Sequence, residues 1–284
     1  MKRLDHAKSI AAKLSKLSKV QKIPYANVAT AFLIERLLAR LLANTQLNKF
    51  LVFKGGYVGL RVYNSARYTV DLDALLLNAD VKATLKQTVV AIEKDLDDGT
   101  WFSLESQVDI LTQGEYGGVR QTFRAGIGDR PKDIRRSQLI NFDIGIGDPV
   151  TPGPFKIQTH EMIGNAELSW QVYPVETIIA EKLQTLIERG NENSRAKDVF
   201  DLYFYLPKAD AKTLQKAVKQ CFAFRGTEMP SDPADFIASI DLTLLKRGWK
   251  NALASIKNPP TFEEAFGSIL KELKIFFPAK PNKK

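Results

Sequence analysis

The sequence has few of the residues that build disulfides and soft-metal sites. Its 284 residues include one cysteine, Cys221, and two histidines, His6 and His160. One cysteine excludes a disulfide within the chain, and the same composition argues against thiolate zinc sites and two-histidine metal motifs. A metal ion would therefore have to be held by carboxylate oxygens, which favour magnesium or manganese.

Long apolar runs are missing as well. No stretch approaches the roughly 20 apolar residues that cross a bilayer. The opening "MKRLDHAKSIAAKLSKLSKV" is basic and amphipathic, without the apolar centre and cleavage site of a signal peptide. We therefore expect a cytoplasmic protein with no membrane partner. Since 44% of the residues are hydrophobic and 26% are charged, one or two domains with a sizeable core fit this length.

Negative charge is in deficit. The formal net charge of +9 indicates a polyanionic partner such as nucleic acid, because clusters of lysine and arginine attract phosphate backbones. Much of the surplus lies in the N-terminal helix and in the tail "PAKPNKK", where charge equally serves solubility. Charge alone does not choose between these two interpretations.

Hydrophobic periodicity predicts helices, then a mixed α/β region, then helices again. We expect an N-terminal helical and mixed α/β domain over 1–170 and a helical region over 171–284. The predicted elements are helices within 1–49, a strand at 50–54, a brief helix from Tyr57 to Tyr63, a strand at 67–77, a helix at about 80–96, strands with a "GEYGG" hairpin loop within 101–150, and helices from 174 onward.

Two acids share one face of the strand at 67–77. Asp71 and Asp73 alternate with Leu72, so both carboxylates point the same way and repel one another unless a cation lies between them. A divalent metal ion would neutralise them, although an exposed strand end whose acids meet water explains the pattern too. The preceding Gly55 and Gly56 follow a strand and begin a helix. Without side chains, these residues would let a phosphate approach the backbone N–H groups, or they would simply allow a tight turn.

A third acid occurs on a later strand, "LINFDIGIG". Asp143 lies on the face opposite to Phe142 and Ile144. If this strand lies beside the first, three carboxylates would surround two magnesium ions, an arrangement suited to phosphoryl transfer. The alternative is a strand acid that faces solvent.

Two helices carry further candidates. Lys182 falls on the apolar stripe of helix 174–190, where it would either extend to water or reach a buried anion such as a triphosphate. Asp198 and Asp201 share a face of the next helix at i, i+3. One of them would pair with Lys182 or with Arg195, and structural ion pairing and catalysis are both open here.

Taken together and in order, these blocks resemble the nucleotidyltransferase toxins of the AbiEii type, within the DNA-polymerase-β-like superfamily. The matching blocks are "FKGG", "RYTVDLD", a later strand acid and "EKLQTLIERGNENSRAKDVFDLYFY". The resemblance covers about residues 28–206. It implies a polymerase-β-like α/β (α+β) core with a mixed sheet, flanked by N-terminal helices and a C-terminal helical region.

The resemblance also implies an activity and its residues. A nucleoside monophosphate would pass from an NTP to an acceptor with Mg²⁺ (or Mn²⁺), releasing pyrophosphate. Catalysis would rest on Asp71, Asp73, Asp143, Lys182 and Asp198; metal ligation on Asp71, Asp73 and Asp143; and nucleotide binding on Gly55, Gly56, Tyr57, Arg67, Thr69 and Lys182. The third carboxylate is assigned from the strand pattern. Tyr57 replaces the family's usual Ser or Thr, so its hydroxyl would lie several ångströms farther out.

The family resemblance further implies a toxin paired with an antitoxin from the same operon in phage defence. Some relatives modify the 3′ end of tRNA, which would suit the positive charge of this chain. Two alternatives stay open. One is a degenerate transferase fold that binds RNA or a protein partner, and the other is an enzyme whose acceptor is a small molecule, as in antibiotic nucleotidylation.

Overall fold

The computed structural model of the protein describes residues 3–110 and 117–278. The chain divides into two compact units. The first comprises Met1–Gly147 and Phe155–Val172, and the second comprises Asp148–Pro154 and Tyr173–Lys284. No helix in the described part of the chain is both long enough and apolar enough to pass through a bilayer.

The first unit is a mixed sheet packed on helices. Its helices are α1 (Arg3–Gln21), α2 (Tyr25–Ala43), α3 (Thr45–Phe50), α4 (Gly55–Arg61) and α5 (Val81–Glu93). Its strands are β1 (Leu51–Lys54), β2 (Asp71–Leu76), β3 (Thr100–Ile110), β4 (Gly118–Ile127), β5 (Gln138–Ile146), β6 (Phe155–His160) and β7 (Glu167–Val172).

The seven strands run in the order β3-β4-β5-β2-β1-β7-β6. The pairs β2/β5 and β1/β7 are parallel, and the other neighbours are antiparallel. Apolar side chains of β2 and β5, among them Leu72, Phe142 and Ile144, are fully buried on one face of the sheet. The predicted mixed sheet with helices before and after it in the chain is confirmed.

The second unit is helical. It contains α6 (Val175–Arg189), α7 (Ala196–Tyr205), α8 (Ala211–Phe224), α9 (Pro233–Ser239), α10 (Thr243–Ala252) and α11 (Phe262–Phe276). As the sequence predicts, α6 follows Pro174 and ends at Gly190, whose φ of 44° is a conformation that glycine adopts readily. The segment Asp148–Pro154 packs here too, since Thr177 Oγ1 donates to the Thr151 carbonyl at 2.7 Å and Arg225 Nε donates to Asp148 Oδ1 at 2.9 Å.

Two local predictions need correction, two strands were not predicted, and one predicted loop lies mostly outside the described residues. The strand predicted at 67–77 begins only at Asp71, because residues 67–70 form an irregular segment in which Arg67 and Thr69 pack against Gly56. The brief helix predicted from Tyr57 to Tyr63 runs two residues earlier, Gly55–Arg61. Strands β6 and β7 were not predicted, although Leu168, Trp170 and Val172 alternate as buried residues along β7. Most of the "GEYGG" loop lies outside the described residues.

Candidate active site

One row of charged side chains crosses the face of the sheet opposite to its buried apolar side chains. In the strand register, Lys54 on β1 lies opposite Asp73 on β2, Asp73 lies opposite Asp143 on β5, and Asp143 lies opposite Arg120 on β4. Adjacent strands lie about 4.8 Å apart, so residues in register on one face are direct neighbours. β5 thus lies beside β2, as the three-acid prediction required, and two cations flank the two acids.

Arg120 holds the carboxylate of Asp143 with two parallel hydrogen bonds. Its Nε donates to Oδ1 at 2.8 Å and its Nη2 donates to Oδ2 at 2.7 Å. These hydrogen bonds, opposed by partial burial, raise the pKa of the Arg120 guanidinium, and the nearby carboxylates of Asp71 and Asp73 raise it further. Arg120 is therefore a fixed positive charge at this face.

The next row across the sheet orients Asp71. Asn141 on β5 pairs with Asp71, and its Nδ2 donates to Asp71 Oδ1 at 2.8 Å. The amide of Asn141 is itself oriented by Thr122 on β4, whose Oγ1 donates to Asn141 Oδ1 at 2.9 Å. The side chains of Asp71 and Asp73 are both partly exposed, so a ligand can reach them from this face.

The glycine turn lies directly against Asp73. Gly55 has a φ of +72°, and a Cβ built on it would lie 1.9 Å from Asp73 Oδ2. Only a residue without a side chain allows the carboxylate to approach the backbone so closely. The first N–H groups of a helix have no acceptor within the helix itself, and such groups commonly bind anions.

The neighbouring Gly56 is packed by the segment that leads into β2. A Cβ at Gly56 would lie 2.9 Å from Thr69 Cβ and 3.4 Å from Arg67 Nη2. Arg67 is buried, and Thr69 Oγ1 lies 3.4 Å from the backbone N–H of Asp71. Both residues thus pack against the turn.

Tyr57 differs from the expectation that its hydroxyl extends outward. The side chain is 1% exposed and packs near Trp170, with ring centroids 6.2 Å apart. Among the described residues its hydroxyl has no hydrogen-bond partner, and burial raises the pKa of this phenol well above its usual range. A nucleotide at the surface would meet the backbone of Tyr57 and not its hydroxyl.

The acids fit a metal ion only in part. Asp71 and Asp73 share one exposed face, and carboxylate oxygens are the ligands that Mg²⁺ and Mn²⁺ prefer. Both oxygens of Asp143 are taken by Arg120. Within residues 3–110 and 117–278, no group of three or more His, Cys, Asp or Glu side chains is arranged to hold a metal ion. The arrangement therefore fits one ion on two carboxylates better than two ions on three.

In the second unit, Lys182 is enclosed by two acids. Its Nζ lies 2.7 Å from Asp198 Oδ1 and 2.7 Å from Asp201 Oδ2, and the side chains of the three residues are only 15%, 5% and 4% exposed. Arg195 Nε also donates to Asp198. Both acids of α7 thus pair with the lysine of α6.

This ion cluster governs the ionisation of Asp198. Burial alone raises the pKa of the carboxyl, but the Lys182 ammonium and the Arg195 guanidinium outweigh it and hold the pKa below its usual value. Asp198 is therefore ionised at neutral pH, where it fixes the position of the Lys182 ammonium.

The structure gathers the predicted site residues in two groups, one in each unit. The first unit brings together the glycine turn, the segment that packs against it and the three strand acids, and the second brings Lys182 to Asp198. A model of the family described as "Nucleotidyl transferase AbiEii toxin, Type IV TA system" matches residues 36–270.

The chain belongs to the AbiEii nucleotidyltransferase toxin family.

A solved structure has a similar fold. The AbiEii-family chain superposes with a TM-score of 0.53 on a structure titled "Crystal structure of JHP933 from Helicobacter pylori", at 18% identity over 90% of this chain and 93% of that one. A second structure, titled as a putative nucleotidyltransferase from H. pylori, gives a TM-score of 0.49 at 17% identity over 90% and 96% of the two chains. A comparison with curated proteins finds no match.

Two cations of the candidate site in this AbiEii-family chain were not identified from the sequence. Arg120 alternates with the buried Val119 and Gln121 along β4, so its exposed face is readable from the sequence. The alternation of residues along β4 does not show that this strand lies beside β5. Lys54 was read only as the end of a strand, yet its Nζ lies 3.6 Å from where a Cβ of Gly145 would be, which carries its charge across β2 to β5.

Proposed function

We propose that this chain transfers a nucleoside monophosphate from an NTP to an acceptor hydroxyl and releases pyrophosphate. One observation carries the proposal: the Asp73 carboxylate lies against Gly55, so the glycine turn and a pair of acids are neighbours. Phosphoryl transfer needs this combination, since catalysis there rests on positioning and on neutralising charge at the phosphates.

The bond changes are simple. The acceptor oxygen bonds to the α-phosphorus of the NTP, the bond from that phosphorus to the oxygen of the β-phosphate breaks, and pyrophosphate leaves. The proton of the acceptor hydroxyl passes to a carboxylate of the site. A Mg²⁺ or Mn²⁺ ion, when bound by Asp71 and Asp73, supplies positive charge to the phosphates.

Each residue has a defined part in this proposal. The backbone N–H groups of Gly55, Gly56 and Tyr57 bind phosphate oxygens, and Arg67 and Thr69 hold that turn in shape. We retain Lys182 as a contact of the triphosphate and Asp198 as the acid that positions it, and Asp143 as the third acid of the site.

The acceptor in this proposal is RNA, for example the 3′ end of a tRNA. The net charge of +9 supports it, because a basic protein attracts a polyanionic acceptor more than a small neutral one. The family belongs to toxin-antitoxin systems, and we infer that this chain acts in the cytoplasm as the toxin beside an antitoxin partner in phage defence.

The test uses each α-³²P-labelled NTP with total cellular RNA. Label should appear in RNA with the wild type and fall at least about a hundredfold with Asp71→Asn, a loss typical of removing a group that stabilises transition-state charge. The matched control is Asp109→Asn, which removes an exposed strand acid of β3. Equal labelling by Asp71→Asn and the wild type would refute the proposal.

The same material tests the binding-module alternative. A degenerate transferase would transfer no label and would still bind RNA in a salt-sensitive way without Mg²⁺ or NTP. An enzyme with a small-molecule acceptor would leave RNA unlabelled but would release pyrophosphate in the presence of that acceptor. Reversing the charge of exposed lysines on α8, such as Lys216 and Lys219, should then leave its turnover unchanged.

A further inference from the structure

Arg120 holds the third acid of the site, although the proposed nucleotidyl transfer gives this residue no role. Its two hydrogen bonds to Asp143, at 2.8 and 2.7 Å, use both oxygens of that carboxylate. Paired, charge-assisted bonds of this kind are among the strongest that side chains form. A metal ion that took Asp143 as a ligand would compete with the guanidinium for these oxygens and would be repelled by its charge.

The pair is built into the interior of the sheet. Arg120 and Asp143 are in register on β4 and β5, and each of these strands has a neighbour on both sides. Backbone movement therefore cannot separate the two side chains without breaking ladder hydrogen bonds. The Arg120 side chain is nevertheless 41% exposed, so one edge of the guanidinium faces out from the sheet.

The exposed edge has donors to spare. A guanidinium carries five N–H groups, of which Asp143 takes two. The remaining donors lie at the same face as Asp71 and Asp73, whose negative charge acts on Arg120. Arginine held in this way presents a planar, permanent cation to phosphate oxygens.

We propose that Arg120 takes the place of a second divalent ion in this site. Asp71 and Asp73 hold a single ion, Asp143 serves as the anchor of Arg120, and the free edge of the guanidinium binds phosphate oxygens of the NTP. This inference rests on the proposed nucleotidyl transfer. The proposed arrangement differs from one with three metal-binding carboxylates. In that arrangement Asp143 ligates a metal ion directly, and the guanidinium of Arg120 moves away from Asp143.

The two arrangements predict different metal binding, which can be measured without turnover. Mn²⁺ is titrated into the full chain and the free ion is followed by electron paramagnetic resonance. The variants are Arg120→Gln, which frees Asp143, and the double variant Arg120→Gln with Asp143→Asn, which removes both charges together. Arg124→Gln is the matched control, since Arg124 lies on the same face of β4 but pairs with Glu105.

If Arg120 replaces an ion, the wild type saturates at one Mn²⁺ and the double variant binds it within about threefold of the wild type. Arg120→Gln alone should take up a second ion or bind the first about tenfold more tightly, because a freed carboxylate then attracts cations that the guanidinium no longer repels. Arg124→Gln should match the wild type.

Two ions in the wild type, or an affinity at least about tenfold weaker in the double variant, would overturn the inference, because a lost ligand weakens a metal site to that degree. The proposed transfer would survive that result as long as Asp71→Asn still abolishes Mn²⁺ binding. Absence of Mn²⁺ binding in the wild type would instead remove the metal-dependent function and this inference with it.

A kinetic measurement separates phosphate binding from a merely structural pair. The double variant should raise the KM for NTP about tenfold or more, as expected when a charged contact to phosphate is lost, while it keeps its Mn²⁺. The single variant Arg120→Lys should raise the KM for NTP less than the double variant does, since lysine keeps the positive charge and loses only the planar guanidinium. An unchanged KM in the double variant would contradict the phosphate contact.

Discussion

The two ion clusters of this protein contain the same kinds of group in different surroundings. On the sheet, Arg120 and Asp143 have side chains that are 41% and 18% exposed. Between α6 and α7, Lys182 is held by Asp198 and Asp201, and all three side chains are nearly buried. A ligand can join the first cluster at little cost, whereas in the second every charge already has its partner inside the protein. The exposed cluster is therefore open to a ligand, whereas in the enclosed cluster the two acids fix the position of the Lys182 ammonium.

The largest expected effect is on stability and comes from removing the enclosed cation. Lys182→Met leaves Asp198 and Asp201 buried without their shared partner, so the free energy of unfolding should fall by about 3–5 kcal/mol. Arg120→Met, at the more exposed cluster, should cost about 1 kcal/mol or less.

Urea denaturation followed by circular dichroism measures both values. Lys197→Met, which removes an exposed lysine of α7, serves as the control and should change little. Similar losses for Lys182→Met and Arg120→Met would erase the contrast between the clusters.

The second prediction concerns the turn beside the exposed cluster. Gly55→Ala places a methyl group in the space of the Asp73 carboxylate at a φ of +72°. It should lower the free energy of unfolding by about 2–4 kcal/mol through backbone strain and overpacking, and it should suppress nucleotidyl transfer.

The control for this change is Gly226→Ala. Gly226 also has a positive φ, +63°, but nothing lies within 4 Å of the position its Cβ would take. It therefore reports the conformational cost alone, about 1–2 kcal/mol. Equal effects of the two substitutions on the free energy of unfolding would show that a methyl group at residue 55 does not clash with the Asp73 carboxylate.

A smaller effect is expected from acid. Because the folded state lowers the pKa of Asp198, its ionisation contributes stability that is fully present above the pKa of the unfolded chain, near 4, and is lost as pH falls through the lower pKa of the folded protein. The stability difference between wild type and Asp198→Asn should therefore narrow between pH 5 and pH 2, by an amount on the order of 1–2 kcal/mol.

Denaturant midpoints at a series of pH values give this difference. Glu192→Gln, at an exposed position of the same unit, is the control. A difference that stays constant down to pH 2 would mean that the enclosed cluster does not hold Asp198 ionised.

The smallest effect is expected at Tyr57. Since its buried hydroxyl has no hydrogen-bond partner among the described residues, Tyr57→Phe should leave stability unchanged or raise it by about 1 kcal/mol. The KM for NTP should be unchanged as well, because the hydroxyl lies inside the protein. A several-fold rise in the KM for NTP would mean that the Tyr57 hydroxyl contacts the nucleotide, which would contradict its buried position in the structure.

Much of the exposed cluster could be predicted from alternation along single strands. Asp71 and Asp73 on one face, and Asp143 opposite to Phe142, follow from a period of two. The order β4-β5-β2-β1, which puts Arg120 and Lys54 into the same row, depends on long-range pairing that no local pattern contains. Sequence could therefore name the acids of the site but not the cations beside them.

The enclosed cluster was predictable in outline for a different reason. Helical spacing puts Asp198 and Asp201 on one face and Lys182 on the apolar stripe of α6. Pairing between them was one of two open interpretations, since the burial that decides it depends on how the helices pack. Their roles toward a triphosphate stay a prediction.

The path of the chain has a practical consequence for anyone who wishes to produce the helical part separately. The polypeptide leaves the sheet after Gly147, returns to it at Phe155 and leaves again after Val172. A truncation that starts at residue 173 would discard residues 148–154 and with them one hydrogen-bond partner each of Thr177 and Arg225, namely Thr151 and Asp148. Grafting that heptapeptide back through a short designed connection is therefore the more promising route to an isolated helical fragment.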